Sequence, residues 1–333
     1  MTLPRIGVFD SGVGGLTVLK AMAAQLPAHY LYFGDTARLP YGTKSAETVA
    51  RYAIGATRFL QAQNIDLLVI ACNTATALAL PQIKAAAHVP VVGVVEPGAA
   101  MAAEVSEKRA AIVIATEATV SSHAYRDALL RHGLDSLEKA CPLFVPLVEE
   151  GWIEHPVTEQ VARIYLDEAS AQAPNGADVL VLACTHYPLI APLLRRIVPP
   201  EMQIVDSAES TARVVRQMIE SPELRATNFM CHPERSEAVP GLMCHPERSE
   251  ASAERSRRTP IAAGPLGASE TVSNEVSSRA SEASRGTPIA AGSPAAHRTF
   301  RFYVTDSVDK FKRLATRFLG RQVDNVEHVD LGG

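Results

Sequence analysis

Two stretches of one design, LLVIACNTAT at residues 67–76 and VLVLACTHYP at residues 179–188, decide the fold. Each is an uninterrupted apolar run that ends in Ala-Cys and continues into side chains with hydrogen-bonding groups. Such runs are typical of parallel strands that are covered on both faces. Open sheets bind ligands beyond the carboxyl ends of their strands, which is where Cys72 and Cys184 stand. The repeat therefore predicts two similar domains that contribute one cysteine each.

Shorter apolar runs extend this pattern along the chain. They lie at residues 5–9, 30–33, 89–95, 110–115 and 203–205. Ala- and Leu-rich stretches of helical character, such as residues 46–63 and 158–171, alternate with them. This alternation predicts an α/β protein with mainly parallel sheets flanked by helices.

We expect two folded domains that an insertion interrupts. The first domain comprises residues 1–97, 207–228 and 299–333, the second comprises residues 98–206, and the insertion comprises residues 229–298. The insertion repeats CHPERSEA and TPIAAG, is rich in Ser, Ala, Pro, Glu and Arg, and has no aromatic residue after Phe229. Such a composition cannot bury enough apolar surface to offset the entropy of ordering. We predict that the insertion is disordered.

The paired dipeptides Cys231-His232 and Cys244-His245 in the insertion suggest zinc ligands as an alternative. Adjacent Cys and His are poorly placed for tetrahedral ligation, and the usual ligand spacing of about two to four residues is missing. Duplicated sequence alone explains the pairs. We therefore predict no metal site.

Bulk composition limits the class of protein. The chain has 333 residues, a hydrophobic fraction of 47% and a formal net charge of −4, which argues against a general nucleic-acid binder. We find no signal peptide and no apolar run long enough to cross a bilayer, so we expect a cytoplasmic protein without a membrane partner. Five scattered cysteines argue against a disulfide framework and favour a reducing compartment.

The two matching cysteines are the strongest chemical signal. A free cysteine on a strand is most often a small buried hydrophobe. Two cysteines in the same context, each followed by hydrogen-bonding groups, favour chemistry instead. A thiol pKa of about 8.5 is lowered at a helix N-terminus or beside a cationic histidine, and His186 follows Cys184 by two positions. Racemisation at an α-carbon needs a base on one face and an acid on the other, which a thiolate and a thiol supply.

Other polar clusters also follow predicted strands, but none of them indicates a particular function by itself. Asp10-Ser11 either caps a helix or, with the glycines after it, lets backbone amides approach a carboxylate. Those glycines do not reproduce the G-x-G-x-x-G dinucleotide pattern. Pro40-Tyr41-Gly42 is an ordinary turn by composition, Thr119 is a possible helix cap, and Glu149-Glu150 is a pair of charges near a turn.

The order of these motifs closely resembles that of the glutamate racemases, within the aspartate/glutamate racemase superfamily. The motifs are GVFDSGVGGLTV (7–18), DTARLPYG (35–42), ACNTATA (71–77), GVVEPG (93–98), IATEATV (114–120), VPLVEEG (145–151), ACTHYPL (183–189) and, near the C-terminus, FYVTD (302–306) and RFLG (317–320). The resemblance implies two α/β domains with the active site in the cleft between them. It covers about residues 4–225 and resumes after the insertion.

The resemblance also implies roles for individual residues. Cys72 and Cys184 would be the two acid/base residues; Asp10 would assist Cys72, and Glu150 and His186 would assist Cys184. The residues expected to hold the amino acid are Asp10, Ser11, Pro40, Tyr41, Gly42, Asn73, Thr74, Thr119, Thr185 and His186.

The same resemblance implies a reaction without pyridoxal or metal, in which L-glutamate is converted to D-glutamate for peptidoglycan. We expect glutamate as the small-molecule partner, no nucleic-acid or membrane partner, and a homodimer as the candidate assembly. Two alternatives stay open: aspartate racemase or another superfamily member, and a catalytically silent binding protein that retains the cleft. A thiol–disulfide enzyme ranks last, because the chain has no C-x-x-C motif.

Overall fold

The computed structural model describes residues 3–173, 176–222 and 298–331. The predicted insertion lies outside the described residues except for its last residue, so its disorder stays a prediction. The Cys-His dipeptides at residues 231–232 and 244–245 also lie outside the described residues.

Within these ranges the chain builds two sheets in which every strand pair is parallel. The strands are β1 (Arg5–Asp10), β2 (His29–Gly34), β3 (Leu67–Ile70), β4 (Val91–Gly93), β5 (Ala110–Ala115), β6 (Asp135–Ala140), β7 (Val179–Ala183), β8 (Gln203–Asp206), β9 (Thr299–Val304) and β10 (Val326–His328). One sheet has six strands in the order β10-β9-β2-β1-β3-β4, and the other has four in the order β6-β5-β7-β8. The predicted α/β class with parallel sheets is confirmed.

Helices alternate with the strands and flank both sheets. They are α1 (Leu16–Gln25), α2 (Ala46–Ala62), α3 (Asn73–Ala86), α4 (Val95–Val105), α5 (Glu117–Ser121), α6 (Ala124–Arg131), α7 (Phe144–Glu150), α8 (Pro156–Ser170), α9 (Ala191–Ile197), α10 (Ser207–Glu220) and α11 (Val308–Leu319). None of the helices in the described part of the chain is long and apolar enough to cross a membrane.

The two cysteine-bearing strands occupy interior positions in their sheets. All residues of β3 and β7 are buried, as expected for apolar strands with neighbours on both sides and helices on both faces. In β1 and β3, Phe9 pairs with Ile70, which brings the carboxyl ends of these strands to one edge of the sheet. The residues that follow the two strands, Ser11 and Cys72, therefore come close together.

The chain after the insertion rejoins the six-stranded sheet. Strand β9 pairs in parallel with β2, from the pair His29–Thr299 to the pair Gly34–Val304. Helix α11 follows, with Ser307 as its N-cap and Gly320, at φ +73°, ending it in the left-handed conformation. The expected return of order at residue 299 thus takes the form of an interior strand and a helix.

Two edge strands and one boundary differ from the sequence-based expectations. Strands β6 and β10 were not predicted, because DSLEKA and VEH lie at sheet edges and lack a continuous apolar run. The expected boundary between residues 97 and 98 falls inside α4, while α10 packs against both α1 and α4. The division of the chain into two domains stays a prediction.

Candidate active site

Cys72 stands between β3 and α3 and is the N-cap residue of α3. Its side chain is only 5% exposed. The thiol donates to Ser11 Oγ at 3.4 Å and accepts from the backbone N–H of Ala75 at 3.4 Å. The helix N-terminus and the loop after β1 therefore hold the sulfur between them.

Asp10 is completely buried beside this cysteine. Its Oδ2 accepts a hydrogen bond from Gly12 N at 2.9 Å, whereas Oδ1 is buried and has no hydrogen-bond partner among the described residues. A Cβ atom at Gly15 would lie 2.6 Å from Asp10 Cβ, so this turn requires glycine. Burial raises the pKa of Asp10, against the opposing effects of the His186 charge and the Gly12 N–H.

The surroundings of Cys72 favour the neutral thiol. Burial and the charge of Asp10 raise the pKa of Cys72 to about 12, although hydrogen bonds with Ser11 and Ala75 act in the opposite direction. We expected a lowered pKa at a helix N-terminus. For Cys72 that expectation is wrong, because burial and a neighbouring carboxylate outweigh the single N–H that the helix supplies.

Cys184 follows β7 and is 6% exposed. Its sulfur lies 4.0 Å from Nδ1 of His186, and Nε2 of the same ring lies 3.1 Å from Oε1 of Glu149. Burial lowers the pKa of His186, but the contacts with Cys184 and Glu149 raise it to about 10. Burial raises the pKa of Glu149, and the bond to His186 more than reverses that effect. These contacts favour the cationic imidazole, which lies between the sulfur of Cys184 and the carboxylate of Glu149.

The structure places Glu149, and not the predicted Glu150, beside His186. Glu150 is exposed, whereas Glu149, one position earlier on α7, forms the ion pair with His186. Successive residues on a helix point about 100° apart, so only one of the two glutamates can face the histidine. The carboxylate that contacts His186 is therefore Glu149.

The glycine-rich loop after β1 contacts the loop that carries Cys184. A Cβ atom at Gly14 would lie 2.6 Å from Nδ1 of His186 and would also collide with Thr185 Oγ1. Thr17 Oγ1 donates to the carbonyl oxygen of Thr185 at 3.2 Å. The absence of a side chain at Gly14 therefore lets the edges of the two sheets meet, and it places Thr185 and His186 beside the Asp10 loop.

A second set of contacts across the sheets is built from hydroxyl groups. Thr74 Oγ1 lies 2.9 Å from Thr116 Oγ1 and 3.2 Å from Thr119 Oγ1. A Cβ atom at Gly42 would lie 3.0 Å from the Thr116 side chain. The structure thus brings together three residues predicted for the site, Gly42, Thr74 and Thr119, and adds Thr116.

The remaining predicted residues have mainly structural contacts. Asn73 accepts from Tyr125 Oη at 2.6 Å and donates to Ser207 Oγ at 3.4 Å, so both ends of its amide are engaged. Tyr41 donates to the buried Asp35 carboxylate at 2.5 Å. Pro40 is exposed and follows a cis peptide bond.

Two buried tyrosines at the site were missed from the sequence. Tyr125 holds Asn73, and Tyr32 donates to the carbonyl oxygen of Gly12 at 2.9 Å, next to Asp10. Burial, with the charges of Asp10 and Cys72, raises the pKa of Tyr32 well above its ordinary value, so it is a neutral donor. A tyrosine inside an apolar strand or helix gives no sequence signal of such a role.

The chain is similar in sequence to known racemases. The family model for Asp/Glu/hydantoin racemases matches residues 6–215, a range that contains both Cys72 and Cys184. The glutamate racemase of Koribacter versatilis (strain Ellin345) is 53% identical over 331 residues, which cover 99% of this chain and 98% of that protein.

Solved structures show the same likeness. The crystal structure of glutamate racemase from Thermus thermophilus, in complex with β-chloro-D-alanine, has a TM-score of 0.70 and 35% identity, and the match covers 98% of this chain and 97% of that one. The glutamate racemase of Francisella tularensis, in complex with D-glutamate, has a TM-score of 0.72 and 26% identity, with 99% of each chain covered.

Proposed function

The chain belongs to the Asp/Glu/hydantoin racemase family, and we propose that it interconverts L- and D-glutamate with Cys72 and Cys184 as opposing acid and base. One observation supports this above the others. Each cysteine stands at the carboxyl end of an interior strand, and each has its own buried charged partner, Asp10 for one and the His186–Glu149 pair for the other. Glutamate is the substrate named for the relatives of known function and for the D-glutamate complex.

The two thiols would exchange roles with the direction of the reaction. A thiolate removes the α-proton from one face of the amino acid and becomes a thiol, and the opposite thiol gives its proton to the other face and becomes a thiolate. Loss of one proton to solvent and gain of another restore the starting state. The reverse reaction follows the same steps with the cysteines exchanged.

The charged groups around the two cysteines differ, and this difference suggests how each thiol becomes a thiolate. The imidazolium of His186, 4.0 Å from Cys184 Sγ, would stabilise negative charge on that sulfur. Asp10 has the opposite effect on Cys72. We infer that the substrate ammonium binds at the unpartnered Oδ1 of Asp10, because a cation there would offset the carboxylate charge and make the Cys72 thiolate accessible.

The α-proton of an amino acid is a weak acid, so the site must stabilise the carbanion. We infer that the hydroxyl groups of Ser11, Thr74, Thr119 and Thr185, with backbone N–H groups of the glycine-rich loop, bind the two carboxylates. Donors fixed in place before the reaction stabilise developing charge without reorganising. Burial of both thiols strengthens these interactions by excluding water.

Circular dichroism of L-glutamate and of D-glutamate, each incubated separately with the purified protein, tests the proposal. Decay of both signals towards zero is the expected result, and Cys72→Ser and Cys184→Ser should each abolish it. Unchanged glutamate together with racemised aspartate would assign the protein to the other specificity of the family. Two unchanged amino acids would support a silent binding protein. We further infer that the D-glutamate formed supplies peptidoglycan synthesis in the cytoplasm.

A further inference from the structure

Helix α11 contacts both charged partners of Cys184, although it follows a strand of the six-stranded sheet. Its buried face, which includes Phe311, Leu314 and Phe318, packs into the core that α11 shares with α1. Its last turn presents Arg317 and Phe318 to the loop and helix that hold His186 and Glu149. A chain segment remote in sequence therefore supports the Cys184 half of the site.

Arg317 caps the C-terminal end of α7. Its Nη1 donates to the carbonyl oxygen of Val148 at 3.3 Å and to that of Glu149. Both carbonyls lie in the last turn of α7, where the carbonyl oxygen of Val148 also accepts from Gly151 N at 3.0 Å, and a cation is favourable at this end of the helix dipole. A Cβ atom at Gly151, which has φ +86°, would lie 2.6 Å from Arg317 Nη2. The glycine thus ends the helix and also leaves room for the guanidinium group.

The neighbouring residue of α11 contacts the other partner. The rings of Phe318 and His186 are 5.4 Å apart and nearly perpendicular, at 88°, with Phe318 only 3% exposed. Lys310, about two turns earlier on α11, adds a positive charge that acts on Glu149 together with His186. One face of α11 therefore contacts the ring of His186 and the backbone and charge of Glu149.

We propose that α11 positions the Glu149–His186 pair for proton transfer at Cys184, and that Arg317 is the principal positioning residue. This inference rests on the proposed function. Helix α7 has only seven residues, which is too short for stability of its own. Its last turn, which carries Glu149, is closed by the backbone N–H groups of Gly151 and Trp152, and Arg317 adds a side-chain donor to the carbonyls of Val148 and Glu149. Loss of those contacts would free Glu149 and lengthen its hydrogen bond to His186.

The test compares Arg317→Ala and Arg317→Lys with wild type in the circular-dichroism assay. Arg313→Ala is the matched control, because Arg313 is an exposed cation one turn earlier on the same helix. We expect R317A to lower kcat about tenfold to hundredfold with little change in KM, since a shift of about 1 Å in catalytic geometry has an effect of this size. R317K, which keeps the charge and can reach a carbonyl, should recover part of the loss, and R313A should stay within about twofold of wild type.

A second readout does not depend on turnover. The pKa of the His186 ring is followed by NMR of ¹⁵N-histidine-labelled protein in wild type, R317A and R313A. The charged and titratable groups around the ring are Cys184, Glu149 and Asp10, with Lys310 behind Glu149. In R317A the weakened contact with Glu149 should move the His186 midpoint to lower pH, and in R313A the midpoint should stay in place.

The outcomes separate the two proposals. Wild-type protein that leaves glutamate unchanged overturns the proposed function, even if the His186 midpoint responds to R317A. An active wild type in which R317A changes neither kcat nor the His186 midpoint overturns the positioning role alone. Equal losses in R317A and R313A also overturn it, because they would reflect the stability of α11 and not the contact with α7.

Discussion

Glu149 Oε1 lies 3.1 Å from Nε2 of His186, on the side of the imidazole ring away from Cys184. The carboxylate therefore holds the ring and its positive charge in place while the other ring nitrogen faces the thiol. The arrangement gives the Cys184 half of the site a fixed cation. The Cys72 half has the carboxyl group of Asp10, which raises the pKa of Cys72, so the two cysteines have neighbouring groups of different chemistry.

Glu149→Gln should lower kcat about tenfold to hundredfold, because it removes the charge that, together with the contact to Cys184, raises the pKa of His186 and that also holds its ring. Glu150→Gln is the matched control and should have little effect, since Glu150 is exposed. Both variants are measured by circular dichroism with each glutamate enantiomer. A larger loss in E150Q than in E149Q would contradict the assignment.

Gly14→Ala should lower kcat/KM at least about tenfold, because the added methyl group would collide with Thr185 and His186 and push the two loops apart. Gly55→Ala is a suitable control. Gly55 lies inside α2, where a Cβ atom meets only Leu331 at 3.9 Å, so this change should keep activity and raise the free energy of unfolding by about 0.5–1 kcal/mol. Steady-state kinetics and urea denaturation measure the two effects, and wild-type kinetics in G14A would rule out the close contact.

Tyr41→Phe should lower the free energy of unfolding by about 1–3 kcal/mol, because it leaves a buried oxygen of Asp35 without its hydroxyl donor. Arg38 and Thr305 also contact that carboxylate and would retain part of its stabilisation. Tyr52→Phe is the comparison, since Tyr52 is only partly buried and contacts Arg38 through its ring. Equal unfolding midpoints in urea for Y41F and wild type would show that the Asp35–Tyr41 bond contributes nothing.

Stability should fall as pH rises through the slightly alkaline range. The pKa of His186 is about 6.5 in the unfolded chain and about 10 in the folded protein, so the folded state binds its proton more tightly. Its contribution is fully present below pH 6.5 and is lost as pH rises towards 10. The pKa of Cys72, raised from 9.0 to about 12, adds a similar loss only above pH 9.

Urea denaturation of wild type and His186→Gln between pH 6.5 and 9 isolates the histidine effect. The free energy of unfolding should fall with pH in wild type and should change less in H186Q. Parallel curves for the two proteins would show that His186 is not cationic in the folded state.

The parts of the fold that rest on local patterns could be predicted from the sequence, and the parts that rest on orientation could not. Strands β3 and β7 were predicted because each is a buried run of apolar residues that ends in Ala-Cys. Strand β6 was missed because an edge strand needs no such run. Glu149 and Glu150 are adjacent and identical in type, so the sequence does not distinguish them. Only the rotation of α7 about its axis decides which of the two contacts His186.

Contacts between residues that are far apart in the chain are a second feature that could not be predicted from the sequence. Arg317 and the carbonyls of α7 are far apart in the chain, with the insertion between them. Neither segment has a sequence pattern that predicts a contact with the other. The lowered thiol pKa predicted for Cys72 failed for a similar reason. Position at a helix N-terminus is visible in the sequence, whereas the degree of burial and the approach of Asp10 depend on the assembled sheet.

Deuterium incorporation tests whether two thiols act on opposite faces of the α-carbon. L-glutamate is incubated in D₂O with the wild-type protein, and the α-position of each enantiomer is followed by NMR and mass spectrometry at low conversion. We predict that the D-glutamate formed carries deuterium at the α-carbon while the remaining L-glutamate carries almost none, because the incoming proton comes from a second group already exchanged with solvent. D-glutamate that retains the original proton would show that one group both removes and returns it, and would contradict the pairing of Cys72 with Cys184.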